Sequence, residues 1–200
     1  MVRRTLSSAT LVLALATVAQ AQTWNIDTAH SAAQFAVRHL MVSTVRGDMG
    51  PVTGTVNFDG VNLSAATVNA TVDATGLSTR EPRRDTHLRS ADFFDVATYP
   101  TITFRSKQVV PNADGSFKVL GDLTLHGVTR EATLDVEALR PSIKDPGGGI
   151  RTGTTATVKI NRQDFGVKWN RTLDAGGVVL GDEVAITIDV ELVLPGETRQ

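Results

Sequence analysis

Apolar side chains recur at every second position along most of this chain, a period that fits half-buried antiparallel strands and not helices. Val68, Ala70 and Val72 alternate with Thr67, Asn69, Thr71 and Asp73, and Val184, Ile186, Ile188, Val190 and Leu192 alternate with Ala185, Thr187, Asp189 and Glu191. The same alternation marks Ala33, Phe35 and Val37, Val56 and Phe58, Ile102 and Phe104, Leu123 and Leu125, Ala132, Leu134 and Val136, and Ala156, Val158 and Ile160. Eight strands result. Asp59-Gly60, Asp114-Gly115 and His126-Gly127 supply glycine where a hairpin needs positive φ, so consecutive strands are expected to pair antiparallel. No internal repeat or linker divides the chain, and the strand spacing suits an all-β sandwich or barrel in one domain.

One stretch, Ser78 to Val96, departs from this period and reads as helical. Pro82 fits a first helical turn and Thr79 is the candidate cap. The segment is too polar to fill a core, so it is expected to flank one end of the sheet with Leu88, Phe93 and Phe94 pressed onto it. A second short helical turn is expected over His39 to Val45. Gly147-Gly148-Gly149 forms a surface loop that lacks the strand, helix and Lys-Ser/Thr of a phosphate cradle.

The N-terminus carries Arg3 and Arg4, an apolar run from Ala9 to Ala19 and then Ala19-Gln20-Ala21, the pattern of a secretory signal peptide cleaved after Ala21. The run is about half the roughly 20 residues of a spanning helix. Residues 1–21 are therefore the expected signal peptide and 22–200 the mature domain, with a periplasmic or secreted destination. The surroundings of Arg3-Arg4 match a twin-arginine signal poorly, which favours general secretion.

The chain has no cysteine, which removes disulfide staples, thiolate metal sites, a cysteine nucleophile and an N-terminal lipid anchor. Losing Arg3 and Arg4 takes the 20 basic residues to 18 against 21 acidic ones, a balance that argues against nucleic acid. The one basic cluster, Arg80, Arg83, Arg84 and Arg89, is interleaved with Glu81 and Asp85 and reads as an internally paired, solvated helix face.

Five blocks in order resemble the YceI family. They are Trp24-Asn25-Ile26-Asp27 with His30-Ser31 and Phe35-Ala36-Val37-Arg38-His39; Arg84 to Asp95 with Tyr99 to Phe104; Gly121 to Thr129; Asn161 to Val167; and Gly181-Asp182-Glu183-Val184. Order and spacing hold from residue 24 to about 194, with one departure in length at the loop Pro141 to Ile150. The resemblance implies an eight-stranded antiparallel, extended, lipocalin-like β-barrel with one or two short helices. Its interior would hold a polyisoprenoid, an isoprenoid quinone or a fatty lipid.

Eight strands make a barrel either filled by side chains or holding one small ligand. The inward residues are mostly Ala, Val and Ile with a few Phe, which favours a cavity. The expected lining comprises Phe35, Val37, Phe58, Val68, Phe93, Phe94, Ile102, Phe104, Phe165, Trp169 and Ile186, with the mouth near the helix. No cofactor or metal is expected. His30, Asp85, His87 and His126 invite a metal or acid–base role, but Asp85 and His87 lie two apart on a helix and diverge, and His126 in its tight hairpin serves a backbone group. Arg84, Asp85, and Arg162 with Asp164 read as hydrogen-bonding and ion-pair struts at the barrel ends. The chain carries no Gly-x-Ser-x-Gly elbow, no His-Glu-x-x-His helix and no glycosidase-like carboxylate pair, so a carrier or storage protein is expected, not an enzyme. The rivals are an envelope enzyme acting on such a lipid and a surface interaction protein with a filled barrel. A homodimer and a transient membrane contact are left open.

Overall fold

Eleven strands and one short α-helix make up the computed structural model, which describes residues 21–174 and 176–195. In chain order they are β1 (Gln22–Ile26), β2 (Ala32–His39), β3 (Ser43–Asp48), β4 (Val52–Phe58), β5 (Thr67–Asp73), α1 (Pro82–Arg89), β6 (Thr101–Pro111), β7 (Phe117–Leu125), β8 (Val128–Val136), β9 (Ile143–Lys144), β10 (Ile150–Asn161) and β11 (Leu180–Leu194). The signal-peptide segment, apart from Ala21, lies outside the described residues.

The ring β1-β4-β5-β6-β7-β8-β10-β11 closes on itself through β11–β1, all pairs antiparallel. This is an eight-stranded barrel, but one of its strands differs from those the alternation marks out. The short β1 completes the ring, while β2 and β3 form a hairpin added alongside. Both β1 and β2 pair with the same edge of β11. Its first part runs beside β2, from Leu180 opposite His39 to Asp189 opposite Ala32, and its end beside β1, with Leu192 opposite Ile26. The other edge of β11 pairs with β10 from Ile150–Leu194 to Asn161–Glu183. Where β3 has no neighbour in the ring, residues 74–81 fill in: Asp48 and Ser78 exchange backbone hydrogen bonds, and Ala74 and Leu77 are fully buried.

A β-bulge in β6 keeps the pattern aimed inward. Ile102 and Phe104 face the interior, the register shifts between Ser106 and Gln108, and Val109 then takes the inward position. The Ser106 hydroxyl accepts from the Val68 N–H at 2.7 Å. His126-Gly127 is a two-residue hairpin with both residues at positive φ (51° and 72°). A Cβ on Gly127 would sit 2.4 Å from the Tyr99 ring, so both turn geometry and close approach require glycine there.

Three local expectations are corrected. Residues 39–45 are not helical: His39 pairs with Ser43 across the turn Leu40-Met41-Val42, and the Leu40 N–H donates to the Val179 carbonyl, holding Leu40 and Met41 in the left-handed region. The cap of α1 is Glu81, not Thr79. The Glu81 carboxylate accepts from the N–H groups of Arg83 and Arg84, with Pro82 in the first turn, while the Thr79 hydroxyl is committed to Asp85. The arginines around α1 are not paired with Glu81 and Asp85, because both acids are engaged with backbone N–H groups. Arg84 and Arg89 instead donate to carbonyls of the preceding loop, and Arg80 reaches Asp48 at 3.6 Å.

On the outer wall, Arg151 of β10 donates to three carboxylates: Asp27 after β1, Asp145 after β9, and Glu191 of β11. Hydrogen bonds from Arg151 and then His30 hold the Asp27 carboxyl well below the usual carboxylate range, and Arg151 does the same to Asp145. A carboxyl so depressed contributes stability above its unfolded value of about 4 and loses it as pH falls. Arg151→Met is therefore expected to lower the thermal midpoint by several degrees at neutral pH. The gap from the unsubstituted protein should narrow as pH falls below about 4. A gap constant across that range would contradict the assignment.

Candidate functional site

Inside the ring lies a cavity of about 550 Å³, within the ~300–1,000 Å³ typical of small-molecule sites. It divides the core into two apolar clusters. One covers the β6, β7, β8 and β10 half of the wall with Phe104, Val109, Phe117, Val119, Leu123, Leu134 and Val136, and the other the β1, β4 and β11 half with Trp24, Ile26, Val52 and Leu192. The barrel is therefore not filled by its own side chains. Small residues make the room: Ala33, Ala70 and Ala156 stand at inward positions, and two phenyl rings lie against glycines of the neighbouring strand. A Cβ on Gly47 would meet Phe35 at 2.5 Å, and one on Gly121 would meet Phe104 at 2.6 Å.

Ten of the eleven expected lining residues face this cavity: Phe35, Val37, Phe58, Val68, Phe93, Phe94, Ile102, Phe104, Trp169 and Ile186. Phe165 does not. It closes the 3-10 turn Arg162–Phe165 and is buried in the wall cluster, and its carbonyl lies 3.3 Å from His126 Nδ1. The pattern of alternating residues also missed Trp24 and Ile26, because β1 is too short to display a period. The signal was their inward parity two residues apart.

The arginines and the histidines of the lining gather at one end. Arg83, Arg84 and His87 come from α1, His39 from the tip of β2, and Arg162 from the turn after β10. These define the mouth. His87, Phe93 and Trp169 form an aromatic knot there, His87 edge-on to Phe93 at 4.9 Å and to Trp169 at 5.1 Å, and His87 Nε2 lies 2.7 Å from an Asp92 carboxylate oxygen. The knot ties the helix to the long loop before β11. Beside it the β2–β3 turn presents Leu40, Met41 and Val42 to solvent, Val42 being 79% exposed.

The struts at this end are built differently from the expected pairs. Asp85 is buried and accepts from the Thr79 N–H at 2.7 Å and from the Thr79 hydroxyl. Burial raises its pKa, but hydrogen bonds from Thr79 and Ser78 and the charge of Arg89 outweigh it and hold the carboxyl below its ordinary value. Arg162, only 4% exposed, pairs with Asp182 at 3.0 Å and not with Asp164, which is exposed two residues along the same tight turn. Its guanidinium also donates to the carbonyls of Gly181, Val167 and Trp169, stitching the loop to β11. Burial pushes its pKa down and Asp182 opposes the shift.

Among the described residues that face the cavity there is no Asp, Glu, Ser, Lys or Tyr; the lining histidines are His39 and His87, and the hydroxyls are those of three threonines. Two of these, Thr152 and Thr154, donate to the carbonyls of Arg140 and Glu137. Outside the barrel, Asp27, His30 and Glu191 place ligand-type atoms within 4.8 Å of one another. The Arg151 guanidinium already supplies the positive charge there.

Phe93 and Phe94 separate packing from lining. Phe93 is 6% exposed and central to the aromatic knot, so Phe93→Ala is expected to cost about 3 kcal/mol of stability. Phe94 is half-buried at the wall, and Phe94→Asp is expected to weaken lipid uptake by about tenfold or more while moving the unfolding midpoint little. Denaturation and lipid titration of both variants check this; equal losses for Phe94→Asp would make it a core residue only.

Comparison with known proteins agrees with this architecture. The YceI-like domain matches residues 24–192. A UPF0312 protein of Staphylococcus aureus strain N315 is 38% identical over 168 residues, covering 84% of this chain and 95% of its own. One from Vibrio parahaemolyticus is 39% identical over 159 residues, covering 78% and 84%. Among solved structures, Burkholderia cenocepacia BcnA superposes with a TM-score of 0.72 at 21% identity, covering 83% of this chain and 98% of its own. The Campylobacter jejuni YceI protein gives 0.64 at 27%, covering 81% and 90%. A polyisoprenoid-binding domain from Saccharophagus degradans, implicated in plant cell wall breakdown, gives 0.61 at 16%, covering 86% and 98%, a likeness of fold alone. By sequence match and barrel alike, the chain belongs to the YceI-like family.

Proposed function

We propose that this protein is a binding protein for a long apolar amphiphile, an isoprenoid, isoprenoid quinone or fatty lipid, held inside the barrel and carried or stored outside the cytoplasm. One observation carries the reading: a cavity of about 550 Å³ whose wall is almost wholly hydrocarbon, with its charged groups confined to the mouth. Each buried methylene contributes about 0.8 kcal/mol, so ten contribute roughly 8 kcal/mol, from which association costs of several kcal/mol are subtracted. Micromolar affinity follows without any charged contact. The Saccharophagus domain of the same fold, described as polyisoprenoid-binding, supports this class of ligand.

In this reading the cargo is held and not transformed, which is supported by a lining that has no Asp, Glu, Ser, Lys or Tyr among the described residues. The signal peptide at residues 1–21 would deliver it to the periplasm or beyond. Transient docking at a membrane would load the tunnel, and pairing of two barrels is compatible with that role.

The mature chain, purified and extracted with organic solvent, is expected to release a long-chain lipid detectable by mass spectrometry. The delipidated protein should bind an isoprenoid quinone or a fatty amide saturably. No extracted lipid together with no saturable binding would overturn the reading.

A further inference from the structure

Trp24 lines the cavity at 6% exposure, yet its indole Nε1–H meets no acceptor, and it is the one buried side-chain nitrogen or oxygen in that condition among the described residues. The cluster around it is hydrocarbon: Ile26, Val52, Val56, Phe58 and Leu192. The neighbouring backbone is engaged in the ladders of β1 with β4 and β11. Phenylalanine would fill most of this space without leaving a donor dry.

We propose that Trp24 Nε1 is the deep polar contact of the tunnel, donating to a neutral oxygen of the cargo: a quinone or amide carbonyl, an ester or an ether. The inference rests on the lipid-binding reading and adds the side chain that holds the cargo's oxygen. The oxygen is neutral because a carboxylate or phosphate here would have one donor and no counter-charge. Arg83, Arg84 and Arg162 stand at the mouth, whereas Trp24 lies near the opposite rim, where Gln22 pairs with Phe58. The cargo therefore enters oxygenated end first, with its hydrocarbon tail toward α1.

The test compares two probes on delipidated mature protein, a ubiquinone with a short isoprenoid tail and the hydrocarbon squalene, in the unsubstituted chain and in Trp24→Phe. Trp24→Phe is expected to weaken quinone binding by about tenfold, to change squalene binding by less than roughly twofold, and to leave the unfolding midpoint equal or higher. In the unsubstituted protein the Trp24 indole proton resonance should move downfield with quinone and not with squalene. This measurement stands even where the variant fails to fold. Equal loss of both affinities, or the same indole response to both probes, would overturn the proposal while leaving lipid binding intact. Failure of the unsubstituted protein to bind either probe would overturn the lipid-binding reading itself.

Discussion

The rest of the structure depends on a closed ring of main-chain hydrogen bonds around a space that side chains do not fill. A packed core normally rewards closure with dispersion contacts across its centre. Here the two apolar clusters face each other across the cavity, so the wall must hold its shape from within the wall itself. Closure leaves no free edge in the ring, and the bulge in β6 keeps the inward set aligned as that strand passes from one end to the other.

Charge is used at the outside and at the rim, never within. Arg151 bridges three segments through Asp27, Asp145 and Glu191, and Arg162 and Asp85 each gather several partners around one buried charge. A buried charge supplied with several partners tolerates little displacement, because every lost partner leaves it uncompensated. These clusters hold the ends of the barrel in place where apolar packing is thin. A lumen free of carboxylates then stays hospitable to uncharged molecules.

Much of this was legible in the sequence. Period-two alternation gave strands β2, β4 to β8, β10 and β11, and their inward residues are the cavity wall, because in a sheet facing one interior parity alone decides the side. What was not legible depended on tertiary partners. Residues 39–45 have no helical obstacle in their composition, and it is the Val179 carbonyl, far along the chain, that draws them into a hairpin. Asp164 and Asp182 are equally plausible partners for Arg162 in sequence; only the start of β11 brings Asp182 within reach. Phe165 alternates like a lining residue but belongs to a tight turn, where parity has no meaning.

The placement of β11 imposes an order in time. It is the last of the described strands, yet it joins β10 to both β1 and β2, so a contact as distant along the chain as Ile26 with Leu192 closes the ring. Until residues 180–194 are available, a growing chain has β2 attached only to β3 and a barrel split open along its length. Pairings this distant along the chain form slowly. A chain still being made is thus an open sheet exposing the apolar face that later becomes the tunnel, and the same fifteen residues of β11 that seal the wall create the compartment.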